Sequence, residues 1–106
     1  MHECLERVTF TLVAGTSETD LAAALDTSQQ WLMQQPGFNY SSVSREGYTF
    51  AHSVYWASRA DAEAAAEAFP KSPANAPYLS LIEGGSVKMA HEAIVHSFLA
   101  ERLAAA

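Results

Sequence analysis

Strand, helix, strand is written into this chain twice over, and the two copies meet at a tight turn, Glu46-Gly47. In the first copy Val8, Phe10 and Leu12 alternate with Arg7, Thr9 and Thr11, which predicts a strand from Glu6 to Val13 with one buried face. Gly15 ends it. Ser17 then stands three residues before Asp20, the spacing of a capping box, and Leu21, Leu25, Ser28 and Leu32 recur at helical intervals. The helix stops at "QQPG", because Pro36 cannot continue it and Gly37 accepts a left-handed turn. Phe38 to Arg45 reads as a serine-rich strand, and the hairpin makes Tyr48 to Ala57 its antiparallel partner.

The second copy starts from that partner. Ser58 caps a helix whose inner face is Ala62, Ala65, Ala66 and Phe69, with Glu63 and Glu67 toward water and Pro70 as its stop. A connector follows in which Ser72 caps, Pro73 takes the first helical position, and Leu79 and Ile82 are the expected anchors. After Gly84-Gly85, Val87, Met89, His91 and Ala93 alternate with Lys88, Ala90 and Glu92, predicting a strand from Ser86 to about Val95 and then a short C-terminal helix. A helix running from Ala90 to the end competes with that strand.

Two βαβ halves joined by a hairpin make an α+β, ferredoxin-like split βαβ domain. It has a four-stranded antiparallel sheet with two main helices on one face. One such domain accounts for all 106 residues. Large apolar residues are expected on the other sheet face as well, and a second copy of the chain would cover them, so a homodimer is expected.

Charge excludes one class of partner. The net charge is −6, and the six basic residues are scattered singly, so no stripe exists to track a nucleic-acid backbone. No apolar run approaches the roughly 20 residues of a membrane span, and "MHECLERVTF" lacks the pattern of a signal peptide. Cys4 is the only cysteine, which rules out an intrachain disulfide. A cytoplasmic protein with no membrane partner is the expectation.

The opening strand ending in "VAGTSETDLAAAL", the segment "VYWASRADAEAAAEAF" and the last strand "SVKMAHEAIV" together resemble the dimeric α+β barrel superfamily. Within it the chain is similar to antibiotic biosynthesis monooxygenase-like proteins, over about residues 4 to 96. Trp56, closing the third strand before a capped Ala-rich helix, is the most telling element. The resemblance implies a pocket between sheet and helices or inside a barrel formed by two subunits. Relatives similar to heme-degrading monooxygenases carry an Asn on the first strand and a His after the third. Here Val8 stands near the first position and "PANAPYLSLIE" has no His, so heme is not expected.

Strand parity puts Tyr48, Phe50, His52, Val54 and Trp56 on one face and Tyr55 on the other. His52 is the candidate catalytic base, set against the plainer role of a neutral core imidazole. Trp56, Tyr55, Phe50, His91 and Tyr78 are the candidate substrate-binding residues, with His91 expected to face His52 across the sheet and the tyrosines able to hydrogen-bond a ligand carbonyl. No metal site is expected, since a two-His site would need a further ligand and Glu92 points the other way. No phosphate-binding or nucleotide motif occurs, so the expected cofactor complement is none. Two functions follow. One is a cofactor-free monooxygenase for an aromatic or polycyclic small molecule, in which the deprotonated substrate supplies the electrons for oxygen. The other is a non-catalytic binding or structural dimer whose interior is filled by its own side chains.

Overall fold

In the computed structural model, residues 2–99 are described. Strand β1 (Cys4–Phe10) leads to helix α1 (Glu18–Met33), strands β2 (Phe38–Glu46) and β3 (Thr49–Trp56), and helix α2 (Arg59–Ala68). Two 3-10 turns and the short helix α3 (Ala76–Leu81) form the connector, and a third 3-10 turn, Gly84–Ser86, precedes strand β4 (Lys88–Ala93). The strands form one antiparallel sheet in the order β2-β3-β1-β4, the ferredoxin-like arrangement.

The helix starts are fixed by the side chains the sequence supplies. Ser17 Oγ accepts from the Asp20 N–H and the Asp20 carboxylate accepts from the Ser17 N–H, each at 3.0 Å. Ser58 Oγ likewise accepts from the Asp61 N–H at 3.1 Å. Gly37, at φ +81°, carries the chain from α1 into β2, and a Cβ there would run into the Asp61 carboxylate. The hairpin tip is Gly47-Tyr48, one residue later than predicted. Gly47 at φ +60° and Tyr48 at negative φ match a type II′ turn.

Both helices lie on one face of the sheet. Opposite residues of β1 and β3 (Cys4 with Trp56, Val8 with His52, Phe10 with Phe50) send their side chains to that face. Two packed clusters result. Cys4, Val54 and Trp56 meet Leu32 of α1 and Ala62 and Ala65 of α2, while Phe10 and Phe50 meet Leu21 and Ala24 of α1 and Tyr78 of α3. A bulge between Phe38 and Tyr40 switches the parity of β2. Phe38 therefore packs its ring edge-on to Trp56, while Tyr40 turns to the far face beside Tyr55.

Four expectations are corrected. The first strand ends at Phe10, because Thr11 and Val13 bond instead to Glu83 and Leu81 of the connector. The connector is anchored by Asn75 and Tyr78, both buried, whereas Leu79 is exposed and Ile82 only partly buried. The far sheet face is not broadly apolar: Leu5, Tyr40 and Tyr55 are its large residues, among Ser42, Ser44, Ala51, Ser53, Arg7, Lys88 and Glu92. Finally, β4 is the expected strand, shortened to Lys88–Ala93, and residues 94–99 have no regular structure where the C-terminal helix was expected to begin. The rest of the expected C-terminal helix lies outside the described residues.

Candidate functional site

The alternation of β3 aims His52, Val54 and Trp56 under α2, where the sequence offers only alanines to meet them. Ala65 and Ala66 are too small to fill the space. A cavity of about 330 Å³ remains between the sheet, α2 and the connector. Trp56, Val54 and His52 form its floor, Phe69 and Tyr78 one wall, and the exposed Leu79, Val87 and Met89 its mouth. That volume is at the lower end of the about 300–1,000 Å³ of small-molecule pockets, and an apolar lining with few polar groups is their usual character.

His52 is 4% exposed, and its Nδ1 lies 3.0 Å from the Tyr78 hydroxyl. The connector delivers that hydroxyl: Asn75 Nδ2 donates to the Phe69 carbonyl at 2.9 Å, and Tyr78 then inserts its ring between Phe10 and Phe69. Burial pushes the His52 imidazole down to about 4 and the Tyr78 phenol well above its usual range. Both groups are therefore neutral across ordinary pH. The bond has two senses. If Tyr78 donates to Nδ1, the proton of His52 sits on Nε2; if Nδ1–H donates, Nε2 is a bare acceptor. Neither His52 Nε2 nor Trp56 Nε1 has a hydrogen-bond partner among the described residues, and neither reaches solvent.

A second polar pair borders the same cavity. Glu6 of β1 sits opposite His91 of β4, and its Oε2 lies 2.8 Å from His91 Nε2. Glu6 is only 6% exposed and lines the cavity, with His91 behind it. Sequence reading passed over Glu6, although it occupies the inward parity of Val8 and Phe10. A charged residue on the apolar side of a strand was the available signal.

The expected site residues thus divide. His52, Trp56 and Tyr78 border one cavity. Phe50 shares their strand face but stacks on Phe10 at 5.8 Å, away from the cavity. Tyr55 points to the far face, where its ring lies 5.8 Å from that of Tyr40. His91 does not face His52: β1 stands between their strands, and the two are two rungs out of register. Cys4 is buried, and burial raises its thiol pKa, the reverse of activation. Among the described residues no three His, Cys, Asp or Glu side chains gather as a metal site, and no helix is long and apolar enough to cross a membrane.

No protein-family profile and no curated relative matches the chain. Solved structures do. A mutant of SnoaB, a cofactor-independent oxygenase from Streptomyces nogalater, superposes with a TM-score of 0.68 at 13% identity, over 92% of this chain and 97% of that one. The monooxygenase ActVA-Orf6 of Streptomyces coelicolor, solved in complex with nanaomycin D, gives 0.63 at 18%, over 93% of each chain. A protein of unknown function from Nitrosomonas europaea, NE2512, gives 0.72 at 17%, over 94% and 96%. The chain shares its fold with these proteins and with structures described as putative antibiotic biosynthesis monooxygenases. At such identities the antibiotic biosynthesis monooxygenase likeness accounts for strand order and helix placement, as the sequence resemblance implied, and carries no residue's role.

Proposed function

We propose that this protein is a cofactor-free monooxygenase that takes a hydroxylated aromatic or polycyclic small molecule into the cavity over Trp56 and His52. The observation that carries the reading is the cavity itself, apolar and bordered by both of those side chains. An interior filled by its own residues, the premise of the structural alternative, would leave no such space. The descriptions of SnoaB as a cofactor-independent oxygenase and of ActVA-Orf6 as a monooxygenase holding nanaomycin D support it.

The chemistry needs no electron carrier. A phenol gives up its hydroxyl proton, and the phenolate reduces oxygen. One oxygen atom becomes a new ring carbonyl and the other leaves as water, so a hydroxyarene and O₂ give a quinone and H₂O. The protein supplies orientation and a dry site. His52, as the base, must first have its Nε2 uncovered by a shift of the cavity wall, and its burial limits which substrates suffice. A phenol near pKa 10 facing an imidazole near 4 leaves a gap of about 6 units, or about 8 kcal/mol. The fitting substrates are more acidic hydroxyls, enols or phenols conjugated to a carbonyl.

A two-fold homodimer through the far sheet face completes the reading. The Tyr40–Tyr55 pair supports it, although the small, polar remainder of that face leaves less apolar surface to cover. Sedimentation at micromolar concentration gives twice the chain mass if it holds; a monomer contradicts it. For the activity, oxygen consumption is measured with a panel of hydroxynaphthoquinones and acyl-substituted naphthols, alongside an Ala66→Phe variant that fills the cavity. Turnover lost in the variant is the expected result. Binding without oxygen uptake favours the non-catalytic dimer, to which the weak basicity of His52 already lends weight. No binding overturns both.

A further inference from the structure

The cavity contains one charged group, and nothing in the proposed reaction uses it. Glu6 interrupts a strand face otherwise made of Cys4, Val8 and Phe10, all apolar. A buried carboxylate is costly unless it is paired and its lone pairs are met, and a carboxylate offers about four acceptor sites. His91 meets one of them, at Oε2. Oε1 takes no hydrogen bond among the described residues, yet it is not among the buried atoms shut off from solvent.

The other polar candidates differ in that respect. His52 Nε2 and Trp56 Nε1 have no accessible surface, and His52 Nδ1 is engaged by Tyr78. A ligand entering the cavity as it stands therefore finds Glu6 Oε1 free, while the two ring nitrogens would require a wall to move.

We propose that Glu6, held in place by its bond to His91, is the specificity-determining residue of the cavity and selects aromatic ligands that carry a hydroxyl donor. A carboxylate only accepts hydrogen bonds, so the ligand must provide the proton-bearing group. A hydroxyl that has been methylated leaves Oε1 unmatched in an apolar enclosure. A ligand carboxylate brings like charge against it. Sites built around a polar partner discriminate strongly for this reason, because the missing bond strands a buried group. His91 is the positioning residue: it fixes Oε2, which leaves Oε1 as the oxygen turned to the ligand.

The inference rests on the cavity being the ligand site, and the test separates the two. Binding of 2-naphthol, 2-methoxynaphthalene and 2-naphthoate is measured by calorimetry on the wild-type chain, on Glu6→Gln and on the cavity-filling Ala66→Phe. The wild type is expected to prefer the naphthol over its methyl ether by roughly tenfold to hundredfold, with the naphthoate weakest. Gln keeps the shape and can still accept from His91, but it carries no charge. In Glu6→Gln the preference should fall to within about threefold and the naphthoate should gain. A loss of packing alone would weaken naphthol and ether alike and leave their ratio unmoved. Equal wild-type affinities for naphthol and ether overturn the role of Glu6 while the cavity stands, as does a ratio unchanged in Glu6→Gln. Should that variant not fold, the wild-type ranking still decides. If none of the three binds, or if Ala66→Phe binds them normally, the cavity reading falls and this inference with it.

Discussion

Acid should unfold this protein partly through His52, and the size of the effect follows from its burial. In the unfolded chain the imidazole titrates near 6.5, and in the native state burial lowers that to about 4. The native state thus favours the neutral ring. As pH falls below about 6.5 the unfolded chain takes up a proton that the native protein refuses, and stability drops until about pH 4, where the native ring protonates as well. About 2.5 units at about 1.4 kcal/mol each is a loss of about 3 kcal/mol. For a domain of this size that is a large share of a total of about 5–15 kcal/mol. Carboxylates also titrate in that range, so the comparison needs a variant. His52→Gln removes the ionisation and keeps an amide able to bond the Tyr78 hydroxyl. Urea denaturation of both proteins from pH 7.5 to 4, followed by tryptophan fluorescence, isolates the difference. The stability gap between wild type and His52→Gln should shift by about 3 kcal/mol against the wild type, nearly all of it between pH 6.5 and 4. A gap that stays flat with pH would mean that the imidazole is hydrated and the account of its burial is wrong.

Trp56→Ala should cost about 3–5 kcal/mol in the same denaturation assay, since the ring is fully buried and is wedged against Phe38. A loss below about 1 kcal/mol would show that the ring is not part of the packed core. Gly37→Ala should destabilise by about 1–3 kcal/mol, because it forces a positive φ on an L side chain and displaces the Asp61 carboxylate from Ser58. A neutral result in thermal melting would refute that close approach. Tyr55→Lys, a charge placed in the middle of the far sheet face, should shift the sedimentation of the chain to that of a monomer without lowering its helix content by circular dichroism.

Local chemistry was readable in the sequence where one residue decides one backbone choice. Ser17 with Asp20, Ser58, and Pro36-Gly37 each act within a few positions, and the hydrogen bonds and the φ of Gly37 follow the expectation. The parity of β3 was readable as well, because its even side chains are all apolar or aromatic apart from His52. The Glu6–His91 pair was not. Its members are 85 residues apart, and only the register of β1 on β4 brings them opposite each other. The anchors of the connector were misread for a related reason. Two 3-10 turns precede α3 and change its phase, so Tyr78 and not Leu79 points inward, and strand or helix periodicity cannot count that shift. The bulge at Asn39 hid the far-face position of Tyr40 in the same way.

The cavity is itself a statement about which residue was not placed there. Trp56 and Phe38 fill the core at one end, and Phe10, Phe50 and Tyr78 fill it at the other. Between them α2 presents alanines, although leucine is nearly as good a helix former and would fill more of the gap. A chain shaped by packing alone would gain from the larger side chain. Ala66→Leu adds three carbons facing a cavity of about 330 Å³, so it can enter without forcing the sheet and helix apart. Cavity filling of this kind commonly stabilises by about 0.5–2 kcal/mol, and its usual cost is function. Ala66→Leu should therefore raise the urea midpoint while weakening the binding of 2-naphthol. The two readouts must move in opposite directions. If the variant is destabilised, the space is already occupied by packing that the larger side chain disrupts. If it is stabilised with binding unchanged, the ligand sits elsewhere and the alanines serve only to bring helix and sheet together.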